Sequence, residues 1–591
     1  MVTLFGIFEV GSRGLAAQQN GLDITGHNIS NANTEGYSRQ RANLASSVPL
    51  NLTPGAIPTG VEVQSITRLR DEFLDFQIRQ QSSLAGFFGE NEDVYGQIQV
   101  ILQDPLNPIA ELLEESASAG GINSLLKRFF SAFQELAGNP ESFAVRATVR
   151  ETATTLATSL NVIHDSLTQY QSDLNREIGA TVQQINGIAE QIAKLNEEIA
   201  RIESQTGNFA NDARDTRDKL LTKLADIAPI ETNERANGIV DVRMVGSSIV
   251  IGNQTAPFVT KIDPNDPNEF YQILNSVELS QVLTSDFDGG RLGALIQGRD
   301  QLVPDILDQV DQIAKLVIQE VNNVHSQHIG LAGFDSITSP VSIQDPAVTL
   351  DTAGFLDFPT QAGQFTIRVT DSDGVVQNLL TVAFDPSVDT LNSLAAAIDS
   401  ADGLAGAGNG PISALVNADN QLEITSNGGL EFTFTEDTSH ILAALGINTF
   451  FKGTGAGDIS LSDQILDPEL GLQRIAASGS GAEGDNTGAL AIADLEYARV
   501  ARNNSTTIGD FYREGISELG VRAQRNKTLS QESTTFLEDL KIRQESVAGV
   551  SLDEESVNLI KFQQAFNGAA RYITIVDSLI DRVVNGLGIT R

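Results

Sequence analysis

The 591-residue sequence has no cysteine, no tryptophan and only two methionines, and it is short of positive charge, with 38 Lys and Arg against 77 Asp and Glu. Without cysteine there is no disulfide, thiolate metal ligand or thiol nucleophile. A net charge of −39 argues against nucleic acid or an anionic membrane as partner, because both reward clustered Lys and Arg. No stretch approaches the roughly 18 consecutive apolar residues of a membrane span. A cleavable secretory signal is also missing: the first basic residue is Arg13, and the apolar residues before it are interrupted by Gly6, Glu9 and Gly11. A chain exported by another route would look the same on these tests.

What is present is enough apolar residue, 41%, to build cores in several domains. The charge is unevenly placed. Residues 1–40 carry a net −1 and residues 541–591 a net 0, so the middle holds −38. Near-neutral ends can pack against copies of themselves, while an acidic middle stays solvated and resists indiscriminate association.

The strongest pattern lies at the C-terminus. From Leu559, the residues Phe562, Phe566, Ala569, Ile573, Val576, Ile580, Val583 and Leu587 follow at alternating spacings of three and four, the period of a helix that sits against other helices. At 1.5 Å per residue this stripe runs about 40 Å, too long for one helix to bury on itself. At the other end Phe8, Leu15, Leu22 and Ile29 fall seven apart, a half-strength heptad. Gly6, Gly11, Gly14, Gly21 and Gly26 each cost a helix interior up to about 1 kcal/mol relative to Ala. The N-terminal helix is therefore expected to be marginal alone, and both ends to stay mobile until neighbouring copies cover them. Two readings fit: an ordinary pair of terminal helices closing a domain, or assembly elements ordered in a polymer.

Between the ends, residues 60–68 alternate like a strand and lead into a helix near 71–83. Residues 122–136 are amphipathic and stop at Gly138-Asn139-Pro140. A long stripe from Val149 to Ile202 is coiled-coil in character, with a local hendecad between Leu167 and Ile178, and a second helix over 212–228 can fold back on it. Residues 238–285 switch to β patterning, with a hairpin at Gly246-Ser247-Ser248. Helix resumes over 290–328, where Pro304 starts a new segment or kinks the old one. Residues 335–480 hold three basic and 19 acidic residues and read as a separable α+β insertion whose removal would be tolerated. Helix returns from Ala489 to the end, broken at 547–552.

The fold class is thus mainly α with inserted β: terminal coiled-coil helices, a long helical bundle domain, and β-rich or α+β outer domains. The expected parts are a terminal helical assembly domain (1–70 and 541–591), a helical bundle (71–235, 286–334 and 488–540), a small β unit (236–285) and the acidic insertion (335–487).

Motifs for chemistry are weak. Gly479-Ser480-Gly481-Ala482-Glu483-Gly484 has Gly-x-Gly-x-x-Gly spacing, but no strand precedes it, so it reads as a flexible entry to a helix. His325 and His328 could pair on one helix face, though a solvated helix end is favoured over a metal site. Asp371-Ser372-Asp373-Gly374 starts like a calcium loop without the later ligands, which favours a turn, and Asp263 to Asn268 is another. No catalytic, cofactor or metal residues are identified.

The run after the first helix, Gly26-His27-Asn28-Ile29-Ser30-Asn31-Ala32-Asn33-Thr34-Glu35-Gly36-Tyr37, is dense in residues that close helix ends. It resembles the N-terminal signature of bacterial flagellar rod, hook and hook-associated proteins, with Asn28, Ile29, Asn31, Asn33, Thr34, Gly36 and Tyr37 on the pattern and His27, Gly26 and Glu35 departing from it. Residues 129–146, 211–221, 289–328 and 549–587 resemble the family of the first hook-associated protein, which joins hook to filament. The most specific match there is Ser546 to Glu555, with Leu552-Asp553-Glu554-Glu555 at its end, followed by Asn558 to Phe566. The resemblance implies a non-enzymatic structural protein without cofactors, secreted without a cleavable signal peptide to the extracellular flagellum. Its implied partners are copies of itself, the hook protein, a second junction protein on the filament side and an export chaperone at the C-terminal helix, with no nucleic acid and no membrane insertion. The implied assembly interface is Phe8, Leu15, Leu22, Ile29, Leu559, Phe562, Phe566, Ile573, Val576, Ile580, Val583 and Leu587. Two alternatives stay open: another axial protein of hook or rod type, and an enzyme with its site in residues 335–480.

Overall fold

The computed structural model describes residues 4–52, 55–103, 121–401 and 410–586. In chain order, α1 (Leu4–Ser30) leads to the strands β1 (Gln40–Ser46), β2 (Leu50–Leu52), β3 (Gly55–Ile57) and β4 (Val61–Arg68). Three long helices, α2 (Glu72–Leu102), α3 (Ile122–Gly138) and α4 (Phe143–Thr206), precede α5 (Asn211–Ile227). The strands β5 (Ile230–Glu234), β6 (Val240–Met244), β7 (Ser247–Ile251), β8 (Gln254–Thr255), β9 (Phe258–Ile262) and β10 (Tyr271–Asn275) follow, then α6 (Gly290–Gln297) and α7 (Val303–His325). The acidic block holds β11 (Ser336–Thr338), β12 (Gly363–Thr370), β13 (Val376–Phe384), α8 (Leu391–Asp399), β14 (Ile412–Val416), β15 (Leu422–Ser426), β16 (Glu431–Thr435), α9 (Ile441–Ala444), β17 (Phe451–Lys452), β18 (Ser460–Leu461) and α10 (Asp463–Leu466). The chain closes with α11 (Thr487–Ala493), α12 (Ile508–Ala548) and α13 (Leu552–Gly586). No helix among the described residues is long and apolar enough to cross a membrane.

The chain divides into two compact units, residues 1–94, 172–299 and 525–591 in the first and 95–171 and 300–524 in the second.

In the first unit β1 and β4 form an antiparallel pair running from Gln40–Arg68 to Ser46–Val61. The expected hairpin is β6–β7 in a four-stranded sheet ordered β5-β6-β7-β8. It turns one residue earlier than the Gly-Ser-Ser reading, on Val245 and Gly246 with φ of 44° and 76°, because two successive positive φ values match the strand twist. The α4 stripe is buried at Ile178, Ile185, Ile188, Ile192 and Ile199. Leu195 is only half-buried, and its neighbour Asn196, fully buried, donates to the carbonyls of Val240 and Gly252 and accepts from Val240 N. A polar residue is tolerated there because its bonds end two strands at the helix.

In the second unit, the two alternating runs read from sequence become β12 and β16, paired antiparallel with Ile367 opposite Phe434. Their inner face joins α8 in one core that includes Phe365, Leu380, Phe384, Leu394, Ile424 and Phe432. Pro304 follows a five-residue π-helical turn, Gly298–Leu302, that separates α6 from α7, a fit for a residue that lacks the helical N–H.

Three expectations are corrected. The acidic block is not cleanly separable: Phe450 and Phe451 pack on Phe129, and buried Arg146 of α4 donates to the carbonyls of Leu472 and Ile475. Helix does not run unbroken from Ala489, because Arg502, Asn503 and Asn504 take positive φ in a turn closed by Ala501 and Thr506. His325 is no solvated helix end. It is fully buried, with Nδ1 bonded to Asn448 O at 2.8 Å and Nε2 accepting from Ala476 N at 2.9 Å.

Candidate functional site

The two terminal helices meet. Gly11 lies against Tyr572 and Ile573, and Gly21 against Phe562, so α1 and α13 run antiparallel. A Cβ at Gly21 would stand 2.6 Å from the Phe562 ring, and one at Gly11 2.9 Å from Ile573. These glycines do not merely weaken a helix; they let α13 approach the α1 backbone closely. Gly14 and Gly26 face open space. The buried face of α1 is therefore small and polar, comprising Gly11, Ala17, Gly21, Thr25 and Asn28, and not the heptad.

Of the heptad, Phe8 is 39% exposed and Leu15, Leu22 and Ile29 are half-buried. Of the described α13 stripe residues only Val576 is buried, at 2%; Phe562, Phe566, Ile573 and Ile580 are half-buried. Leu559 and Val583 are exposed, and so are Ile560, Ile575, Leu579 and Val584 beside them. Leu587 lies outside the described residues. The pair forms within a single chain, and Gly11 and Gly21 let α1 approach Ile573 and Phe562 of α13 without large side chains. It leaves a long apolar surface bare.

Around the base of this pair the signature residues close on one another. The Asn28 side chain imitates a backbone partner: Nδ2 donates to Gln40 O at 2.9 Å, while Oδ1 accepts from Gln40 N at 3.0 Å and from Tyr37 Oη at 2.8 Å. Asn31 Nδ2 donates to His27 O, and Thr34 Oγ1 donates to Asn31 Oδ1. Gly36, at φ 81°, takes the left-handed turn that favours glycine. Asn33 is exposed. Burial, then the carboxylates of Asp212, Asp215 and Glu555, push the Tyr37 hydroxyl above its ordinary value.

Two further stretches join this loop. From α5, Asp215 accepts from Ser38 N and Oγ at 2.9 and 2.7 Å. Arg68, just before α2, spans Asp215 and Asp218 at 2.7 and 2.9 Å, and Arg70 reaches Asp218 at 3.0 Å and pairs with Asp75. Burial opposes ionisation of Asp218, yet Arg70 and Arg68 hold its carboxyl below the usual range. From the C-terminal signature, Arg39 donates to Glu555 and Glu554, each at 2.7 Å, and Arg39 N donates to Ala548 O at 2.8 Å. Glu555 is buried, whereas Leu552 and Asp553 are exposed.

The residues that tie the three stretches together, Arg39, Arg68, Arg70, Asp215 and Asp218, were not singled out from sequence. Their signal was charge placed inside or beside motif runs, in segments that local pattern alone cannot bring together.

The remaining motifs resolve as structure. The Gly-x-Gly-x-x-Gly loop wraps its own anion: Asp485 accepts from Gly479 N, Ser480 N and Oγ, and Thr487 N and Oγ1. Burial opposes that charge, but the bonds from Ser480 and Thr487 hold the carboxyl well below its ordinary value. Asp371 caps the β12–β13 turn through Asp373 N and Val375 N, and Asp263 caps another through Asn265 N.

Residues 106–336 match the family described as Flagellar hook-associated protein FlgK helical domain. Residues 8–37 match Flagella basal body rod protein, and 545–587 match Flagellar basal body rod FlgEFG protein C-terminal. Flagellar hook-associated protein 1 of Bacillus subtilis is 29% identical over 601 residues, covering 100% of this chain and 99% of that one. The protein of that name in Salmonella typhimurium is 27% identical over 593 residues, covering 97% and 98%. The fold is similar to the solved flagellar hook junction protein FlgK from Burkholderia pseudomallei, with a TM-score of 0.51 and 17% identity over 80% of this chain and 100% of that one.

Proposed function

This chain belongs to the flagellar hook-associated protein 1 family, and we propose that its bare terminal helix pair is the surface through which it joins the flagellum. It is a structural axial protein that polymerises as the junction between hook and filament. The observation that carries the interface is the set of apolar side chains Leu559, Ile560, Ile575, Leu579, Val583 and Val584 exposed along α13 in a chain of net charge −39. Such exposure is unfavourable in water and is covered by neighbours in an assembly. We assign Phe8, Leu15, Leu22 and Ile29 with the α13 stripe from Leu559 to Leu587 to that subunit contact. The signature residues Asn28 to Tyr37 and Leu552 to Glu555 fix the base of the pair.

In this reading the neighbours are copies of the chain, the hook protein on one side and a second junction protein on the other, while an export chaperone guards α13 before assembly. The chain is exported to the extracellular flagellum and has no enzymatic activity. Residues 1–70 with 541–591 form the assembly part, residues 71–235, 286–334 and 488–540 the bundle, and 236–285 with 335–487 the outer parts. A hook or rod protein would share the two terminal matches, but the helical block at 106–336 matches the hook-associated family. Imaging labelled protein on cells tests the reading: fluorescence confined to the hook tip is expected, and signal spread along hook or rod would overturn it.

A further inference from the structure

A cavity of about 440 Å3 opens between β4, the start of α2, α5 and β5, all within the first unit, and its lining includes Arg68, Arg70, Arg79, Arg214, Asp218 and Glu234. Three of the four guanidiniums are matched. Arg68 and Arg70 pair with Asp215 and Asp218, and Arg214 pairs with Glu203 and Glu234. Arg79 is different. Among the described residues its one hydrogen-bond partner is Thr232 Oγ1, at 3.4 Å, and no carboxylate makes an ion pair with it. A guanidinium offers five donors in a planar fork, and Thr232 takes up one of them.

Burial disfavours the charge of Arg79, and the carboxylates of Asp75 and Asp218 act against that from beyond ion-pair distance. Of the four, Arg79 alone makes no ion pair among the described residues, in a cavity whose lining also carries Glu72, Asp75, Asp218 and Glu234. The fork geometry suits a two-oxygen acceptor. We propose that this cavity binds a single oxyanion, a carboxylate or phosphate group, with Arg79 as its principal ligand. The anion is either free in solution or the carboxylate of an acidic side chain on a second copy of this chain; the second source rests on the junction reading, whereas the first does not.

The test uses the full-length chain. Inorganic phosphate is titrated at constant ionic strength and followed by calorimetry and by amide exchange of residues 67–79 and 211–234. Saturable binding with protection of those segments in the wild type, weakened about tenfold or more in Arg79→Gln and largely kept in Arg79→Lys, assigns the site to a free anion. No phosphate effect, combined with failure of Arg79→Gln but not Arg79→Lys to enter flagella of cells lacking the wild-type copy, assigns it to a neighbour's carboxylate. Phosphate binding equal in wild type and Arg79→Gln overturns the proposal. So does the absence of both effects. Melting in chloride alone checks that each variant is folded, and the exchange footprint on the wild type needs no variant.

Discussion

The Nε of Arg39 donates to Oε1 of Glu555 at 2.7 Å, across 516 residues of sequence. One residue of the N-terminal signature is thus held by one of the C-terminal signature, and Glu555 is 2% exposed. Replacing Glu555 by Ala leaves the guanidinium without its buried partner, a loss of about 2–3 kcal/mol at the base of the helix pair. Limited proteolysis should then cut between α1 and β1 sooner than in the wild type. In a double-mutant cycle Arg39→Ala and Glu555→Ala should lose less together than their sum; simple additivity would show that the pair contributes nothing.

Glycines on α1 should answer oppositely to the same change. At Gly14 an added methyl meets nothing, so Gly14→Ala should stabilise the helix by about 0.5–1 kcal/mol. At Gly21 the methyl would fall 2.6 Å from Phe562, so Gly21→Ala should separate the helices despite the better propensity. Amide exchange over residues 4–30 and 552–586 of both variants measures this directly.

Val576→Asp would put a carboxylate where the side chain is 2% exposed. The expected result is local: faster exchange in both terminal helices and no incorporation into flagella, with the main melting transition little moved. Unchanged exchange in the isolated chain would mean that the pair is already open there.

The acid response of the second unit is set in part by His325. Burial pushes its ring down to about 4 from an ordinary 6.5, so as pH falls the unfolded chain takes up the proton first. This contribution is fully present above about pH 6.5 and is lost between there and about pH 4, amounting to roughly 3 kcal/mol. The unfolding free energies of wild type and His325→Gln should converge by about that amount on acidification from neutral pH, with the carboxylates common to both cancelling.

Excising residues 335–480 should abolish cooperative folding of the second unit. The cut removes Asn448, which meets His325, and the carbonyls of Leu472 and Ile475 that Arg146 uses. It strands two buried polar side chains at once. A folded excised protein that still enters flagella would restore the view of this block as a detachable insertion.

The sequence by itself determined the elements that are periodic: the α4 and α13 stripes, the β12 and β16 alternations and the helix stop after Ser30. The stripes and alternations rest on the 3.6- or 2-residue repeat and the helix stop on residues that close helix ends, both local properties of the chain. It also supplied the signature runs from which the family could be read. Tertiary structure alone decided which α1 residues meet α13, since a glycine reads as a weak helix former until a ring is found 2.6 Å from its missing Cβ. It decided likewise that Arg39 reaches Glu555 and that Ser38 reaches Asp215, 177 residues away. A hydrogen bond has no periodicity, and its partner is fixed by where the packed helices bring distant backbone, so no window of sequence contains it.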